Sequence, residues 1–161
     1  GTDNTTKPYV KPDTAGLHWV ETFDGDVWSR WAHSGSEKYN GRFEVQERKK
    51  EALLGDLGLT VPDEAKHYGA AVSFAPLEGK KDTPFIVQFE VKFQDGLTCG
   101  GSYVKLFDSS GRKASEFGDD TPYVIMFGPD RCGGTDKVHF ILRHRSPKTG
   151  KLEEKHCKYS L

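Results

Sequence analysis

The sequence predicts an all-β fold, an antiparallel sandwich, from three observations. Short apolar and polar alternations recur along the chain, they are spaced about 10 to 15 residues apart with Gly, Pro and Asp between them, and no helical period is sustained. The chain has 161 residues, enough for one domain with a real core.

Residues 1–16 are rich in Thr, Pro and Asp and read as an extended lead-in to a domain over 17–161. The run LHWVETFDGDVWSRW, residues 17–31, supplies a strand and a turn at Asp24-Gly25, with Trp28 and Trp31 covering the core edge. In the next alternation Phe43 and Val45 share one strand face, with Arg42, Glu44 and Gln46 on the other. Residues 55–61, GDLGLTV, form a turn running into a strand. Tyr68 to Phe74 is a further strand, ended at Ala75-Pro76.

The stretch 88–132 organises the rest. Val87, Phe89, Val91 and Phe93 alternate, the chain crosses Asp95-Gly96, and the pattern resumes at Tyr103, Val104, Leu106 and Phe107. That predicts a hairpin with one buried face, and Gly100-Gly101 predicts a bulge or close approach beside Cys99. Tyr123 to Phe127 reads as a third strand, stopped by Gly128-Pro129. Cys99 and Cys132 are either a disulfide, if strand pairing joins their ends, or two buried thiols. A bridge would stabilise the fold by about 3 to 4 kcal/mol on chain-entropy grounds. Further on, Val138, Phe140 and Leu142 alternate with His139, Ile141 and Arg143. A turn at 146–150 then leads into Leu152 to His156, a second hairpin.

A net charge of -1 argues against nucleic acid or acidic lipid as partner. No apolar run approaches the roughly 18 residues of a membrane span, so no membrane contact is expected. The start, GTDNTTKPYV, lacks the apolar core of a signal peptide, and any targeting segment is expected outside these residues. Asn4-Thr5-Thr6 is a glycosylation acceptor triplet which, with a disulfide, points to the secretory pathway. Catalysis finds little support. A retaining glycosidase needs two carboxylates about 5 Å apart on one face, whereas Glu153 and Glu154 are adjacent and Glu44 and Glu47 are three apart. The six histidines form no nucleophile arrangement.

CGGSYVKLF, residues 99–107, and IMFGPDRC, residues 125–132, resemble the two signature segments of the calnexin and calreticulin lectin chaperones. ILRHRSPKTGKLEEKH, residues 141–156, is similar to calnexin more than to calreticulin, and weaker similarity reaches back to VETFDGDVWSRW, residues 20–31. The resemblance implies a jelly-roll-like sandwich similar to legume lectins. It also implies a non-enzymatic domain of the endoplasmic reticulum lumen that binds the terminal glucose of monoglucosylated N-glycans on folding glycoproteins. The competing readings are a polypeptide-binding module without a sugar site and, less well supported, a sandwich-fold glycosidase.

Carried over by residue, the sugar contacts are expected at Tyr103, Lys105, Tyr123, Met126 and Glu154. The chemistry suits the task. A lysine and a glutamate offer charge-assisted hydrogen bonds of both senses, and tyrosine offers a flat apolar body with a polar tip. Tyr103 and Lys105, two apart, share a face. Tyr123 and Met126, three apart, require Tyr123 at the strand entrance or a bulge between them, and Met126 taken alone reads as ordinary core.

The resemblance also implies one structural calcium ion (Ca2+), with ligands at Thr22 and Asp56. Calcium takes six to eight oxygens, and no EF-hand-like loop is present, so Asp56 taken alone is a solvated turn residue. Familiar members continue into further strands, a proline-rich arm that recruits a thiol oxidoreductase, and a return segment with further sugar and calcium ligands. None of these segments is expected within these residues, which therefore read as an incomplete sandwich. Misfolded polypeptides are expected partners beside glycoproteins. Cys157 is left as an odd thiol.

Overall fold

The computed structural model describes residues 7–50, 53–108 and 111–157. Asn4-Thr5-Thr6 lies outside them. Every pair of strands is antiparallel, and among the described residues the only helical turns are two short 3-10 turns, Val27–Ser29 and Ala114–Glu116. The chain forms two compact units, one drawn from residues up to 78 and from 111–121, the other from 79–110 and from 122 onward.

The first unit carries two small sheets. β1, Trp31–His33, pairs with β4, Ala70–Val72, while β2, Glu44–Glu47, pairs with β3, Leu57–Thr60. β2, β3 and β4 match expected strands, trimmed at their ends, whereas β1 falls where no strand was expected. Residues 17–23 depart from the expected strand and belong to no ladder. Side chains hold them instead: Trp19 stacks on Phe74 at 5.4 Å, and the Glu21 carboxylate collects hydrogen bonds from Phe23, Arg30 and Trp31. Trp28 stacks on His33 at 4.0 Å. The lead-in is tied down where it is described, because Pro8 bridges Leu54 and the Tyr9 N–H donates to the Leu54 carbonyl at 2.9 Å.

The second unit is one five-stranded sheet. Its centre is β7, Ile125–Cys132. On one side lie β5, Cys99–Gly101, and β6, Val104–Leu106; on the other lie β8, Thr135–Arg145, and then β9, Leu152–His156. The expected second hairpin is present as β8 and β9, with Arg143 opposite Glu154.

Two expectations fail here, and a third is settled between its alternatives. Residues 87–93 alternate correctly but belong to no strand, so the hairpin across Asp95-Gly96 is absent. Alternation marks a segment that fits a pleat, whereas strand formation needs a neighbour's hydrogen bonds. Val87, Val91 and Phe93 remain 37 to 40% exposed, and Phe89 packs edge-on to Phe127 at 5.3 Å.

Of the two readings of Gly100-Gly101, the bulge is absent and the close approach is found, because the Tyr103 ring lies where a Gly101 side chain would be. Gly101 faces Asp130 and Val104 faces Phe127, so β5 and β6 run along β7 in one unbroken register.

Finally, Gly128-Pro129 does not stop β7. The Pro129 carbonyl accepts from the Ser102 N–H at 2.9 Å, so the missing proline donor faces the gap between β5 and β6, where the ladder is interrupted. A side chain at Gly128 would strike the Ser102 carbonyl, which explains a glycine at φ 146°.

The cysteine alternative is resolved. Cys99 and Cys132 are cross-strand partners joined by a disulfide, while Cys157 is free and exposed. Apolar burial is thin: among the described residues only Val27 and Ile141 are fully buried hydrophobics.

Candidate functional site

The register of the five-stranded sheet decides which side chains meet. Lys105 opposes Met126, Met126 opposes Ile141, and Ile141 opposes His156. Side chains alternate along a strand and cross-strand partners share a face. One face therefore carries Tyr103 and Lys105 from the edge, Met126 and Asp130 from β7, His139 and Arg143 from β8, and Glu154 and His156 from β9. Met126 sits over buried Ile141 as an apolar floor.

Tyr123 joins this face without belonging to the ladder, because β7 begins two residues later at Ile125. Its hydroxyl donates to Glu154 Oε1 at 3.1 Å, and its ring lies 5.5 Å from Lys105 Nζ and 4.8 Å from Arg143 Cζ. The strand-entrance solution to the three-residue spacing is the one adopted. All five expected sugar-contact residues thus lie on one side of one sheet.

Electrostatics keep the face ready for hydrogen bonding. Arg143 Nη2 lies 2.6 Å from Glu154 Oε1, and with the Tyr123 hydroxyl it holds the Glu154 carboxyl below the usual carboxylate range, against a smaller opposing effect of burial. His156 Nε2 approaches Oε2 at 3.3 Å. Burial, followed by the neighbouring Glu154, pushes the Tyr123 phenol up, and burial followed by Asp130 does the same to Tyr103. Both tyrosines are therefore neutral donors across the physiological range. The Tyr103 hydroxyl donates to Asp130 Oδ2, and His139 Nε2 lies 3.5 Å from the same oxygen. Paired donors and acceptors around an apolar floor can bind a polyol with mixed faces.

Sequence reasoning did not assign Asp130, His139, Arg143 or His156 to this face. A signal existed in the alternation of β8, whose polar register contains His139, Ile141 and Arg143.

The two calcium candidates lie in the first unit. The Thr22 hydroxyl donates to Asp24 Oδ2 at 2.7 Å, and Lys11 Nζ lies 3.6 Å from that oxygen. Asp56 Oδ2 is held by Arg48 Nη2 at 2.5 Å. Burial raises the Tyr9 phenol, and both Asp24 and Asp56 raise it further, which puts the two carboxylates in the neighbourhood of one hydroxyl. Each faces a cation, and among the described residues no three His, Cys, Asp or Glu side chains converge on a metal position. In this arrangement the residues do not fit a calcium ion.

A family profile described as Calreticulin family matches residues 19–160. Calmegin of Bos taurus is 43% identical over 93% of this chain and 27% of its own length. A calnexin homolog of Aspergillus fumigatus is 43% identical over 93% of this chain and 29% of its own, and one of Pisum sativum 45% over 88% and 25%. The chain spans about a quarter of the length of the curated relatives it matches. Among solved structures, the T. cruzi calreticulin globular domain matches with a TM-score of 0.56 and 27% identity, covering 83% of this chain and 50% of that one. The fold class is that of this globular domain, an antiparallel β sandwich of the legume-lectin kind.

Proposed function

The chain belongs to the calreticulin family of lectin chaperones, and on that premise we propose that its five-stranded sheet binds the terminal glucose of monoglucosylated N-glycans on folding glycoproteins. The observation that carries this reading is the gathering of Tyr103, Lys105, Tyr123, Met126 and Glu154 on one face. Lys105 and the two phenols donate to sugar hydroxyls, Glu154 accepts, and Met126 meets the apolar side of the pyranose. The action is reversible retention without bond breaking: a client is held while its glucose remains and released once it is trimmed. The place of action is the lumen of the endoplasmic reticulum. No helix among the described residues is long and apolar enough to cross a membrane. A thiol oxidoreductase partner belongs to an arm outside these residues.

A stabilising calcium ion at Thr22 and Asp56 would need a rearranged site in which Asp56 gives up Arg48, because the residues as they stand do not fit one. The test is calorimetric titration of a glucose-capped mannose oligosaccharide, with and without calcium, into the wild type and Lys105→Ala. Binding lost on substitution supports the site. A calcium-dependent affinity supports the ion, and equal affinities with and without it remove the ion from the reading. Absence of binding by a folded wild-type chain refutes the lectin function.

A second reading, glycan-independent polypeptide binding, is favoured by one observation. Phe85, Ile86, Val87, Val91 and Phe93 are 37 to 81% exposed along residues 85–93. A line of exposed apolar side chains is a surface for extended apolar chain. Capture of an unfolded, unglycosylated client by a chain that ignores the oligosaccharide would favour this reading over the first.

A further inference from the structure

Glu154 has more partners than its exposure requires. Arg143 sits directly across from it in the β8–β9 ladder, with the two side chains 27% and 35% exposed. Pairs this wet contribute little to folding, about 0 to 1 kcal/mol. The geometry around the pair is nonetheless specific. Arg143 Nη2 and the Tyr123 hydroxyl both reach Oε1, at 2.6 and 3.1 Å, while Oε2 faces His156 at 3.3 Å. A carboxylate has roughly four acceptor positions. Three are engaged, and one on Oε2 is left for a ligand hydroxyl.

Tyr123 leans on the same guanidinium, and Lys105 lies beside Tyr123. Tyr123 precedes β7 and is oriented by its Glu154 hydrogen bond and by the guanidinium 4.8 Å from its ring centre. Lys105, across the sheet, forms no salt bridge among the described residues, and its ammonium lies 5.5 Å from the Tyr123 ring centre. Lys105 and Glu154 lie on β6 and β9, three strands apart, so the Lys105 donors stay available to a ligand.

We propose that Arg143 is the positioning residue of this face: it fixes Glu154 and Tyr123 in their ligand-ready orientation. The proposal rests on the lectin reading for its ligand, and its structural half is testable without one.

The experiment compares wild type, Arg143→Met, Arg143→Lys and Lys105→Ala by calorimetric titration with the glucose-capped mannose oligosaccharide. Glu154 carboxyl titration is followed by NMR in the unliganded proteins. Arg143→Met is expected to lose about tenfold or more in affinity, the worth of one charge-assisted hydrogen bond. Its melting midpoint should stay within about 2 °C of wild type. Glu154 should titrate at higher pH, so the acid limb of binding moves upward. Arg143→Lys keeps a point charge without the planar fork, and is expected to restore the acid limb but only part of the affinity.

Wild-type affinity in Arg143→Met, or an unchanged Glu154 titration, overturns the proposal. If the methionine variant does not fold, the lysine variant decides: a loss of about threefold or more supports the role and wild-type binding overturns it. If the wild type binds no oligosaccharide, or Lys105→Ala binds as well as wild type, the lectin reading fails instead. The Glu154 titration then still decides whether Arg143 sets that carboxylate.

Discussion

Replacing Glu21 should unseat the first unit. Its side chain is 8% exposed, and its carboxylate accepts from the Phe23 N–H at 2.6 Å, from Arg30 Nη2 and Nε at 2.9 and 3.1 Å, and from the Trp31 indole at 2.9 Å. In Glu21→Ala the Phe23 and Trp31 donors lose their acceptor, at about 1 to 3 kcal/mol each when buried. Arg30 is 40% exposed and can turn to water, so it adds little. The expected loss is about 3 to 4 kcal/mol, a large part of the stability of a small domain. Trp19, Trp28 and Trp31 all lie in this unit, so tryptophan fluorescence in a urea titration reports on it alone.

The pH dependence follows the same carboxylate. Burial pushes Glu21 up, but the hydrogen bonds from Arg30, Trp31 and Phe23 outweigh it and hold the group below its ordinary value of 4.5. A carboxyl with a depressed folded-state pKa contributes stability that is complete above about 4.5 and is lost as pH falls through the folded value. Glu21→Gln should therefore lack part of the wild-type acid slope. A midpoint change in Glu21→Ala worth less than about 1 kcal/mol, with the same denaturant slope, would refute the assignment of Glu21 as the anchor of residues 17–31.

Two further outcomes test other parts of the fold. Replacing Cys99 and Cys132 together by alanine removes a link across 33 residues and should cost about 3 to 4 kcal/mol in chemical denaturation. A loss below about 1 kcal/mol would mean that the sheet register alone holds β5 on β7. His33 is held between Trp28 and Phe43, and its Nδ1 is buried with no hydrogen-bond partner. Burial, helped by Arg42, lowers its pKa from 6.5. The neutral ring is the folded form, so stability should be full above about 6.5 and fall as pH drops through the lowered value. His33→Phe should flatten fluorescence-detected melting between pH 7 and about 5; an unchanged slope would locate the titration elsewhere.

Strand existence was legible wherever alternation met a partner, and the site followed from pairing. Tyr103 and Lys105 were placed on one face by their spacing of two, and the cross-strand register then added Met126 and Glu154. Residues 87–93 show the limit of that reasoning. Their period is as regular as that of Phe43 and Val45, yet only the latter pair belongs to a segment that found a ladder, β2 with β3. Side-chain period is a local property, whereas a strand ladder needs a distant partner strand, and 87–93 belong to no ladder. Thr22 and Asp56 show the complementary limit. Their residue types suit an oxygen-loving ion, but Arg48 takes up the charge of Asp56, and Thr22 donates to Asp24, whose charge faces Lys11.

Pro129 misled for a related reason. Read along the chain, Gly128-Pro129 is a stop signal; read across the sheet, it is a strand with one donor missing. That missing donor faces Ser102, between the disulfide partner Cys99 and the sugar-contact candidates Tyr103 and Lys105. Gly128, opposite Tyr103 in the register, adds no side chain of its own to the face. The Tyr103 ring instead lies over Gly101, where any side chain would strike its hydroxyl, and from there the hydroxyl reaches Asp130. The glycine that makes room for this candidate sugar-contact aromatic is therefore Gly101 on β5, whereas Gly128-Pro129 breaks the local strand rule because the Ser102 backbone presses against it.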